Sequence, residues 1–545
     1  MYVCIERHHG GYRVHGSPAA RIDHPWPRDP ASSDVFAGWS WDGNDTLAVH
    51  NDRWGFQPLF YSAGADRIAV ATSIPRLLAL GVPPDLDEAA LAVFLRLSHF
   101  LACDSPFKTI RALPRDGHLT WTGGALRVSS ASVAPAADRL SRRAIVDGYI
   151  TLCRQAVERR LPAGDERVIV PLSGGRDSRH LLFELVAQRC RPIETVTIHH
   201  YPPKGNDDAR VAPVVAAAAG VANVVLPLDW QRVRVEKRKN VMTSFCADRH
   251  AQMLPLVDYL RSRADVIYDG LGGDILSGAR LGQADASLAL FQAGRCDELA
   301  RQTLTAHSDE AALQAVLQPD ARRRFGFEIA AARLAEELRR HLEWPNPWGS
   351  FRCANRTARS VAQLPFGMLS RACRVITPYL DRDLARFLTS LPVSSIADGR
   401  LHTEAIARAF PQHAHLHYED PASTFGPAPG YYRRLSWDLL REALRRTVSP
   451  LVRRGFLASR AAKSAVAGSS LWFEPRRAVF LMQLEEVLDH PHAVALAAGA
   501  TRCGDGSDRQ PQSRDRSDES RISTALCSER RHENSDAPVS LWTSQ

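Results

Sequence analysis

Short stretches in which apolar and polar residues alternate characterise the chain up to about Ser130. "TLAVHND" and "RIAVATS" show the period-two alternation of half-buried strands, and turn residues such as those of "SAGAD" separate the strand-like runs. In "GHLTWTGGALRVSS" the pair Gly123 and Gly124 joins two such runs, as in a β-hairpin. This pattern predicts a β-rich N-terminal domain.

The pattern changes across "SASVAPAADRLSRRAI", a polar segment that leads into a helical periodicity from about Ser141 to Arg160. From Arg167 onward, strand-like and helix-like stretches alternate. The strand-like stretches are "RVIVPL", "ETVTIHH", "ANVVLPL" and "ADVIYD", and the helix-like ones are "SRHLLFELVAQ" and "DDARVAPVVAAAAG". Such alternation predicts a parallel, doubly wound sheet, and the chain beyond it is predominantly helical, as in "RFGFEIAAARLAEELRRHLEW".

These changes of pattern divide the chain into four expected segments. Residues 1–135 form the β-rich domain, 140–440 the α/β domain, 441–498 a helical C-terminal extension, and 499–545 a disordered tail. The tail follows from composition, because "GDGSDRQPQSRDRSDESR" offers too little apolar area to offset the entropy of ordering the chain.

Composition narrows the class of protein without naming a function. The 545 residues are 45% hydrophobic and carry a formal net charge of +9, but the arginines are scattered, so no nucleic-acid partner is expected. The ten cysteines show neither CxxC pairs nor histidines at zinc-site spacing. No apolar run approaches the roughly 18 residues that a membrane span requires, so we expect a cytoplasmic protein with no membrane partner.

The stretch "VIVPLSGGRDSRHLLFELVAQ" places a bare turn between a strand, Val168–Leu172, and a helix, Ser178–Gln188. Backbone N–H groups and the positive end of the helix dipole meet at such a turn and attract an anion such as phosphate. Asp177 would repel a phosphate by itself, so its presence suggests a cation between the two, most simply Mg²⁺. For the turn alone, the alternative is a tight connection whose serine caps the helix.

The string "SGGRDS" resembles the PP-loop of the ATP pyrophosphatases, SGGxDS, and the wider pattern resembles the asparagine synthetase family. "YDGLGGDILSG" is similar to the family's SGEGxDEhFGG and "ITPYLDRDLARFLTSLP" to its hPFLDxxLVEFAxxLP. "NDRWGFQPLFY", "VATSIPRLLALG" and "SPFKTIRALPRDGH" resemble segments of its glutaminase half. The resemblance implies an α+β Ntn-hydrolase-like domain followed by an α/β PP-loop domain with a helical C-terminal part.

Carried over residue by residue, the resemblance implies a site for ATP and Mg²⁺. The ATP phosphates would lie on Ser173, Gly174, Gly175, Asp177 and Ser178. Leu172 and Ile198 would flank the adenine, Asp269 and Gly270 would meet the ribose and α-phosphate, and Asp177 and Asp274 would share Mg²⁺. For Asp269 and Asp274, capping of a glycine-rich turn is the alternative.

The chain departs from the family at positions that handle nitrogen. The family's glutaminase needs cysteine as its first mature residue, whereas this chain has Tyr2, and Cys4 has no free amine, so the N-terminal domain is expected to be inactive. Leu271 replaces the family's glutamate and can move no proton, which leaves the catalytic residues unknown. A charge-stabilising lysine is also missing, and its place could be taken by residues that we expect at the solvated surface, namely Arg400, His402, Arg408 or His417.

Three functions therefore remain open. The first is an ATP-dependent ligase that adenylates a carboxylate, aspartate or a related substrate, with release of AMP and pyrophosphate. The second is a macrolactam or lasso-peptide cyclase type of ligase, related to the β-lactam-forming enzymes, which uses an amine without glutamine hydrolysis. The third is a silent nucleotide-binding regulator. The expected partner is a small-molecule or peptide carboxylate, and the sequence leaves open whether the chain forms a homodimer.

Overall fold

A computed structural model describes residues 1–24, 35–131, 133–278, 284–420, 422–424, 428–446 and 448–492. The predicted disordered tail, residues 499–545, lies outside the described residues.

Two antiparallel sheets, each of five strands, form the N-terminal part. Their orders are β2-β1-β7-β6-β8 and β10-β9-β5-β4-β3. The strands and the two helices among them are β1 (Tyr2–His8), β2 (Gly11–Gly16), β3 (Ala19–Asp23), β4 (Phe36–Trp41), β5 (Thr46–Asn51), β6 (Phe60–Ala63), β7 (Arg67–Ala71), α1 (Ile74–Ala79), α2 (Glu88–Leu97), β8 (Arg111–Ala112), β9 (Gly117–Thr122) and β10 (Ala125–Ser130). The predicted hairpin is confirmed, because Thr122 pairs with Ala125, and Gly123 and Gly124 have φ values of +57° and +99°.

Side chains along β1 point alternately to the two faces of the first sheet, and this explains how the sheets and helices are layered. Val3 and Ile5 join Trp39 and Trp121 of the second sheet in one buried cluster, so the two sheets face each other across it. Cys4, which points the other way, belongs to the cluster formed by α1 and α2. One face of the first sheet therefore packs on the second sheet and the other on helices.

The second half contains the predicted parallel sheet, in the order β13-β12-β11-β14-β15. Its elements are α3 (Arg142–Glu158), β11 (Val168–Pro171), α4 (Asp177–Ala187), β12 (Ile193–Ile198), α5 (Asp207–Ala218), β13 (Ala222–Leu226), α6 (Arg232–Met242), α7 (Leu254–Arg263), β14 (Val266–Tyr268), α8 (Gly273–Ser277) and β15 (Arg374–Ile376). The chain runs outward from β11 to β13 and then returns to place β14 on the other side of β11. This reversal is the topological switch at which doubly wound sheets bind ligands.

Helices make up most of the remainder. They are α9 (Ala284–Gln292), α10 (Cys296–His307), α11 (Glu310–Val316), α12 (Pro319–Arg324), α13 (Phe327–Arg339), α14 (Pro347–Arg352), α15 (Arg382–Ser390), α16 (Val393–Ile396), α17 (Leu401–Ala409), α18 (Pro429–Leu444), α19 (Arg454–Ala467) and α20 (Pro475–Asp489). Two π-helical segments, Cys353–Val361 and Gln363–Met368, continue α14. The helical pattern predicted from Arg324 to Trp344 is interrupted, since Gly326 has a ψ of 153° and α13 begins after it.

The two halves share hydrophobic contacts. Phe94 of α2 lies 4.5 Å from Phe480 of α20, measured between ring centroids, so the C-terminal helix packs on the N-terminal helices. Over the residues that the structure describes, no helix combines the length and the apolar character that crossing a bilayer demands.

Candidate functional site

Two glycine-rich turns meet at the switch point of the parallel sheet. The first follows β11 and leads into α4, and the second follows β14 and leads into α8. Because β11 and β14 are adjacent parallel strands, with Ile169 opposite Ile267, their carboxyl ends deliver both turns to the same edge of the sheet. The sequence segments "SGGRDS" and "DGLGGD" are thereby brought together.

The serines of the first turn hold its backbone. The hydroxyl oxygen of Ser173 accepts a hydrogen bond from the amide of Gly175 at 3.1 Å, and that of Ser178 accepts from the amide of Ser173, also at 3.1 Å. The two hydroxyl oxygens lie 3.2 Å apart. The predicted phosphate donors are therefore adjacent, and in this structure they organise the turn itself.

The amide of Gly174 has a partner that the sequence analysis missed. It donates to the Asp208 carboxylate at 2.7 Å, and the other oxygen of that carboxylate lies 2.8 Å from His200 Nε2. Burial would raise the pKa of Asp208, but the contacts with His200, with Glu419 and with the Gly174 amide outweigh burial and hold it low. An internal carboxylate thus occupies one of the amides that we expected to be unpaired.

A close contact with a distant segment of the chain requires glycine at position 174. A β-carbon there would lie 2.7 Å from Cβ of Glu419, whose amide donates to the Gly174 carbonyl at 3.0 Å. The segment around Glu419 is held in turn by Arg179, which donates to the carbonyls of Leu416 and His417 and places its guanidinium 4.0 Å from the ring centroid of Tyr418. The segment around Glu419 therefore closely approaches the backbone at this glycine.

Asp177, the first residue of α4, is wedged against the second turn. A β-carbon on Gly273 would lie 2.6 Å from Cγ of Asp177, and one on Gly270 would lie 2.9 Å from its Cβ. The amide of Asp274 donates to Asp177 Oδ2 at 3.1 Å. Glycine is therefore required in "DGLGGD" so that the carboxylate of the other turn can reach its backbone.

The carboxylates of Asp274 and Asp269 lie close enough to Asp177 to affect its pKa. Burial raises the pKa of Asp177 well above its usual value, and repulsion by Asp274 adds to the increase. Asp269, whose Oδ1 accepts from the amide of Leu271 at 2.8 Å, has its pKa raised by burial to about 6. The described residues contain no group of three metal-ligating side chains. Two adjoining carboxylates nevertheless fit Mg²⁺, which commonly takes one or two protein carboxylates and completes its shell with water and substrate phosphates.

His402 was expected at the surface, and that expectation is wrong. Its side chain is 2% exposed, and its Nδ1 lies 3.3 Å from Asp177 Oδ1. Its Nε2 lies 3.1 Å from Nδ1 of the buried His180 and 3.3 Å from the hydroxyl of Tyr379. Burial, with His180 and Arg176 nearby, holds the pKa of His402 well below its usual value, so it carries no positive charge to the site.

The other residues considered for positive charge have structural contacts. Arg408 forms a salt bridge with Asp147 at 3.0 Å, and His417 contributes its carbonyl to Arg179. The amide of Arg400 donates to Asp398 at 3.0 Å. None of these three contacts involves the two glycine turns.

The two residues predicted to flank adenine lie at the ends of adjacent strands. Leu172 follows β11 and Ile198 ends β12, and both are buried at the carboxyl edge of the sheet. Their role toward the nucleotide stays a prediction. Leu271 is 7% exposed and packs in the core beneath the second turn, so its position is occupied by an apolar group that cannot titrate.

Two known families match separate parts of the chain. Residues 149–415 match the asparagine synthase family, and residues 32–130 match the glutamine amidotransferase domain. The chain belongs to the asparagine synthetase family. Asparagine synthetase relatives share an Ntn-like domain and a PP-loop domain, and the observed sheets fit that arrangement. The family implies an ATP-dependent amide-forming ligase in general. No curated protein matches the chain.

The amidotransferase match leaves out the first strand. It begins at residue 32, after both Tyr2 and Cys4. The thiol of Cys4 is 1% exposed in the middle of β1, burial raises its pKa, and its sulfur accepts from Arg67 Nε at 3.3 Å. A buried, protonated thiol is a poor nucleophile.

The amidotransferase-like motif "NDRWGFQPLFY" has a structural role. The carboxylate of Asp52 accepts hydrogen bonds from the amides of Trp54 and Phe36, at 2.7 and 3.0 Å. Gly55 has a φ of +61°, and a β-carbon there would lie 2.9 Å from the backbone of Arg115. These contacts fix the turn that follows β5.

Proposed function

We propose that the protein is an ATP- and Mg²⁺-dependent ligase that adenylates a carboxylate and then transfers the acyl group to an amine. In the first step a carboxylate oxygen of the acceptor attacks the α-phosphorus of ATP, and the bond to pyrophosphate breaks. In the second, the amine nitrogen attacks the acyl carbon, AMP leaves with the electrons of the broken C–O bond, and the nitrogen loses a proton.

The convergence of Asp177 and Asp274 at the switch point is the observation that carries this proposal. The departing pyrophosphate would be bound where the first turn enters α4. The groups that would bind it there are the hydroxyls of Ser173 and Ser178 and the amide of Gly175. Mg²⁺ held between the two carboxylates would supply the positive charge that stabilises this leaving group. Leu172 and Ile198 would flank the adenine, and Asp269 with Gly270 would contact the ribose and α-phosphate.

We propose further that this chain uses an amine without hydrolysing glutamine at its own N-terminal domain. Tyr2 stands where the family has cysteine, and the nearby thiol of Cys4 is buried. Leu271, in place of the family's glutamate, removes a proton acceptor beside the reacting nitrogen. These changes favour a nucleophile other than ammonia released from glutamine, as in the cyclase type of ligase.

The test is formation of both pyrophosphate and AMP from Mg²⁺-ATP, measured with aspartate, glutamate and acidic peptides as acceptors, each with ammonia, glutamine or an added amine. Asp177→Asn should abolish pyrophosphate release, since it removes one of the two carboxylates at the metal position. Asp320→Asn is the matched control, because Asp320 is 63% exposed and contacts Arg323 on α12. It should retain full activity.

Three results would each contradict part of the proposal. Asp177→Asn with unchanged pyrophosphate release would remove the metal assignment. Binding of Mg²⁺-ATP without pyrophosphate release, over all acceptors and amines, would instead identify a nucleotide-binding regulator. Asparagine formation supported by glutamine would contradict the assignment of an inactive N-terminal domain.

A further inference from the structure

A large cavity is lined by residues that have no part in the proposed chemistry of the two turns. Its volume is about 1100 Å³. Its walls come from the end of α2, from α10 and α11, from the π-helical segment Cys353–Val361, and from the start of α20. The cavity is therefore bounded by both halves of the chain.

Positive charge dominates the lining of the cavity. Six arginines line it, against two acidic side chains, Asp309 and Glu474. Asp309 is engaged as the N-cap of α11, where it accepts from the amide of Ala312, and Glu474 is engaged by Arg476. Glu474 therefore offsets the charge of one lining arginine, and the lining keeps an excess of positive charge.

Some of the arginines have carboxylate partners and others do not. Arg96 is held by both oxygens of Glu310, and Arg476 lies 3.3 Å from Asp248. In contrast, Arg249 and Arg356 form neither a hydrogen bond nor a salt bridge with any residue that the structure describes. Unpaired guanidinium groups in a concave site are well suited to carboxylates and phosphates, which they bind in bidentate fashion.

A buried, unsatisfied donor points to the same conclusion. The Nε of Arg477 is buried and has no hydrogen-bond partner among the described residues, while its Nη2 donates to the carbonyl of Arg96 at 3.3 Å. A buried donor without a partner is costly, so an occupied site in which a ligand oxygen accepts from it would be more stable.

Part of the lining is apolar. Trp348, Phe351, Leu313 and Leu471 contribute to it, and Trp348 and Phe351 are stacked with their ring centroids 5.6 Å apart. A ligand that fills the cavity must therefore present apolar surface as well as negative charge. Ligand cavities of about 300 to 1000 Å³ commonly hold drug-sized molecules, so free aspartate would leave most of this space empty.

Arg356 connects the cavity to the candidate site. It lines the cavity, and it interacts electrostatically with Arg352, with Arg249 and with the Asp274 carboxylate. The cavity also approaches that carboxylate through the helices, because α14, which supplies Phe351 and Arg352 to the lining, packs against α8, which carries Asp274. An acceptor must lie near this carboxylate for its own carboxylate to reach the α-phosphorus.

We infer that the acceptor is a peptide-sized molecule with at least one anionic group besides its reacting carboxylate and with an apolar portion, and that this cavity binds it. The naming of the ligand as the acceptor rests on the proposed function; the binding of an acidic, partly apolar ligand does not. Arg249 and Arg356 hold the additional anionic group, and the surface of Trp348 and Phe351 receives the apolar portion.

The test measures binding to the full chain without ATP, by calorimetry, with the tripeptide Asp-Phe-Asp as the probe. The neutral analogue Asn-Phe-Asn amide and free aspartate are the comparison ligands. The acidic tripeptide should bind at least tenfold more tightly than either. Arg249→Glu and Arg356→Gln should each weaken its binding about tenfold, because each removes a cation that has no hydrogen-bond or salt-bridge partner among the described residues.

Arg127→Glu is the matched control, since Arg127 is an exposed residue of β10 that does not line the cavity. It should bind the tripeptide as the unaltered chain does. Equal binding of the acidic and neutral peptides, or unchanged binding by both cavity variants, would overturn the inference.

Binding of Mg²⁺-ATP separates this inference from the proposed function. Asp177→Asn should lose Mg²⁺-ATP and retain the tripeptide, and Arg249→Glu should show the reverse. Loss of tripeptide binding in Arg249→Glu, with no pyrophosphate release by the unaltered chain, would support the cavity and contradict the ligase. A third outcome is that Arg249→Glu loses Mg²⁺-ATP binding and Asp177→Asn keeps it. This result would place the nucleotide in the cavity, and it would overturn both the cavity inference and the proposed function.

Discussion

Gly273 lies so close to Asp177 that a β-carbon on residue 273 would fall 2.6 Å from the carboxylate carbon. The two residues belong to different turns, which follow adjacent strands of the parallel sheet. This contact fixes the position of the carboxylate that we assign to the metal, so it couples the second turn to the chemistry of the first.

Gly273→Ala should therefore lower activity without removing any polar group. The methyl group must displace Asp177, and a shift of about 1 Å in a catalytic site can cost on the order of 100-fold in rate. Pyrophosphate release should fall about 10- to 100-fold. Gly278→Ala is the control, because its β-carbon would come no closer than 3.5 Å to any neighbour, and it should have no effect. Equal activity in the two variants would show that the close contact between Gly273 and Asp177 does not position the carboxylate.

His402 is expected to act as a positioning residue for Asp177. Its neutral ring lies 3.3 Å from Asp177 Oδ1, and His402→Ala leaves that oxygen without this neighbour. We expect kcat for pyrophosphate release to fall about tenfold or more, with KM for ATP little changed, and His402→Gln to recover part of the loss through its amide.

The exposed His118 of β9 offers a control for His402. His118→Ala should keep the original kcat. If His402→Gln lost as much activity as His402→Ala, or if both lost only stability, the positioning role would be wrong.

Buried histidines should make the protein sensitive to acid. Burial lowers the pKa of His180 to about 3, whereas an unfolded histidine titrates near 6.5. Between these values the unfolded state binds a proton that the folded state does not, so the free energy of unfolding decreases as the pH falls below about 6.5. The slope is about 1.4 kcal/mol per pH unit for each such histidine.

His180→Leu should reduce that slope by the contribution of one histidine, about 1.4 kcal/mol per pH unit, whatever the substitution does to the free energy of unfolding at pH 7.5. The free energy of unfolding, measured in denaturant between pH 4 and 6, provides the comparison. His99, whose pKa burial also lowers to about 3, should contribute a second, independent portion of the slope. An unchanged slope in His180→Leu would show that this imidazole is accessible to protons in the folded state.

Asp381 of the "PYLD" segment is expected to be the most important carboxylate for stability near the site. It contacts Arg160 at 2.7 Å and Arg159 at 2.5 Å, and it accepts from the amides of Asp383 and Leu384 at the start of α15. Asp381→Asn leaves the buried Arg160 without its carboxylate, which typically costs about 3 to 5 kcal/mol.

Asp383→Asn is the matched change two residues away. The Asp383 side chain is 61% exposed and 3.5 Å from Arg159, so its loss should cost less than about 1 kcal/mol. Thermal and denaturant unfolding of the two variants test the difference. Similar stabilities would mean that water replaces the Asp381 contacts.

The positions of the strands and of the two turns could be predicted from sequence. "RVIVPL" and "ADVIYD" are short apolar runs ended by turn residues, and they form β11 and β14 where the pattern placed them. Local signals suffice here because strand alternation and glycine turns depend on residues close together in the chain. The short strand β15, by contrast, was not predicted as a strand, since its three residues carry little periodicity.

The surroundings of Asp177 could not be predicted in the same way. His402 reads as a polar residue in a helical segment, and nothing near it in the sequence indicates that it contacts Asp177. Asp208 also reads as a polar residue in a helical segment, and its contact with the Gly174 amide was not predicted. A signal did exist for Asp208, because a carboxylate at the start of a helix after a strand tends to face the carboxyl edge of the sheet.

The sequence by itself determined the order of strands and helices, the two glycine turns and the family. The tertiary structure decided which charges are buried, which are paired, and which line the basic cavity. The reason is physical: a local pattern sets backbone conformation, but burial, pKa and electrostatic pairing sum contributions from residues far apart in the chain, as Arg249, Arg356 and Arg477 show by meeting in one cavity.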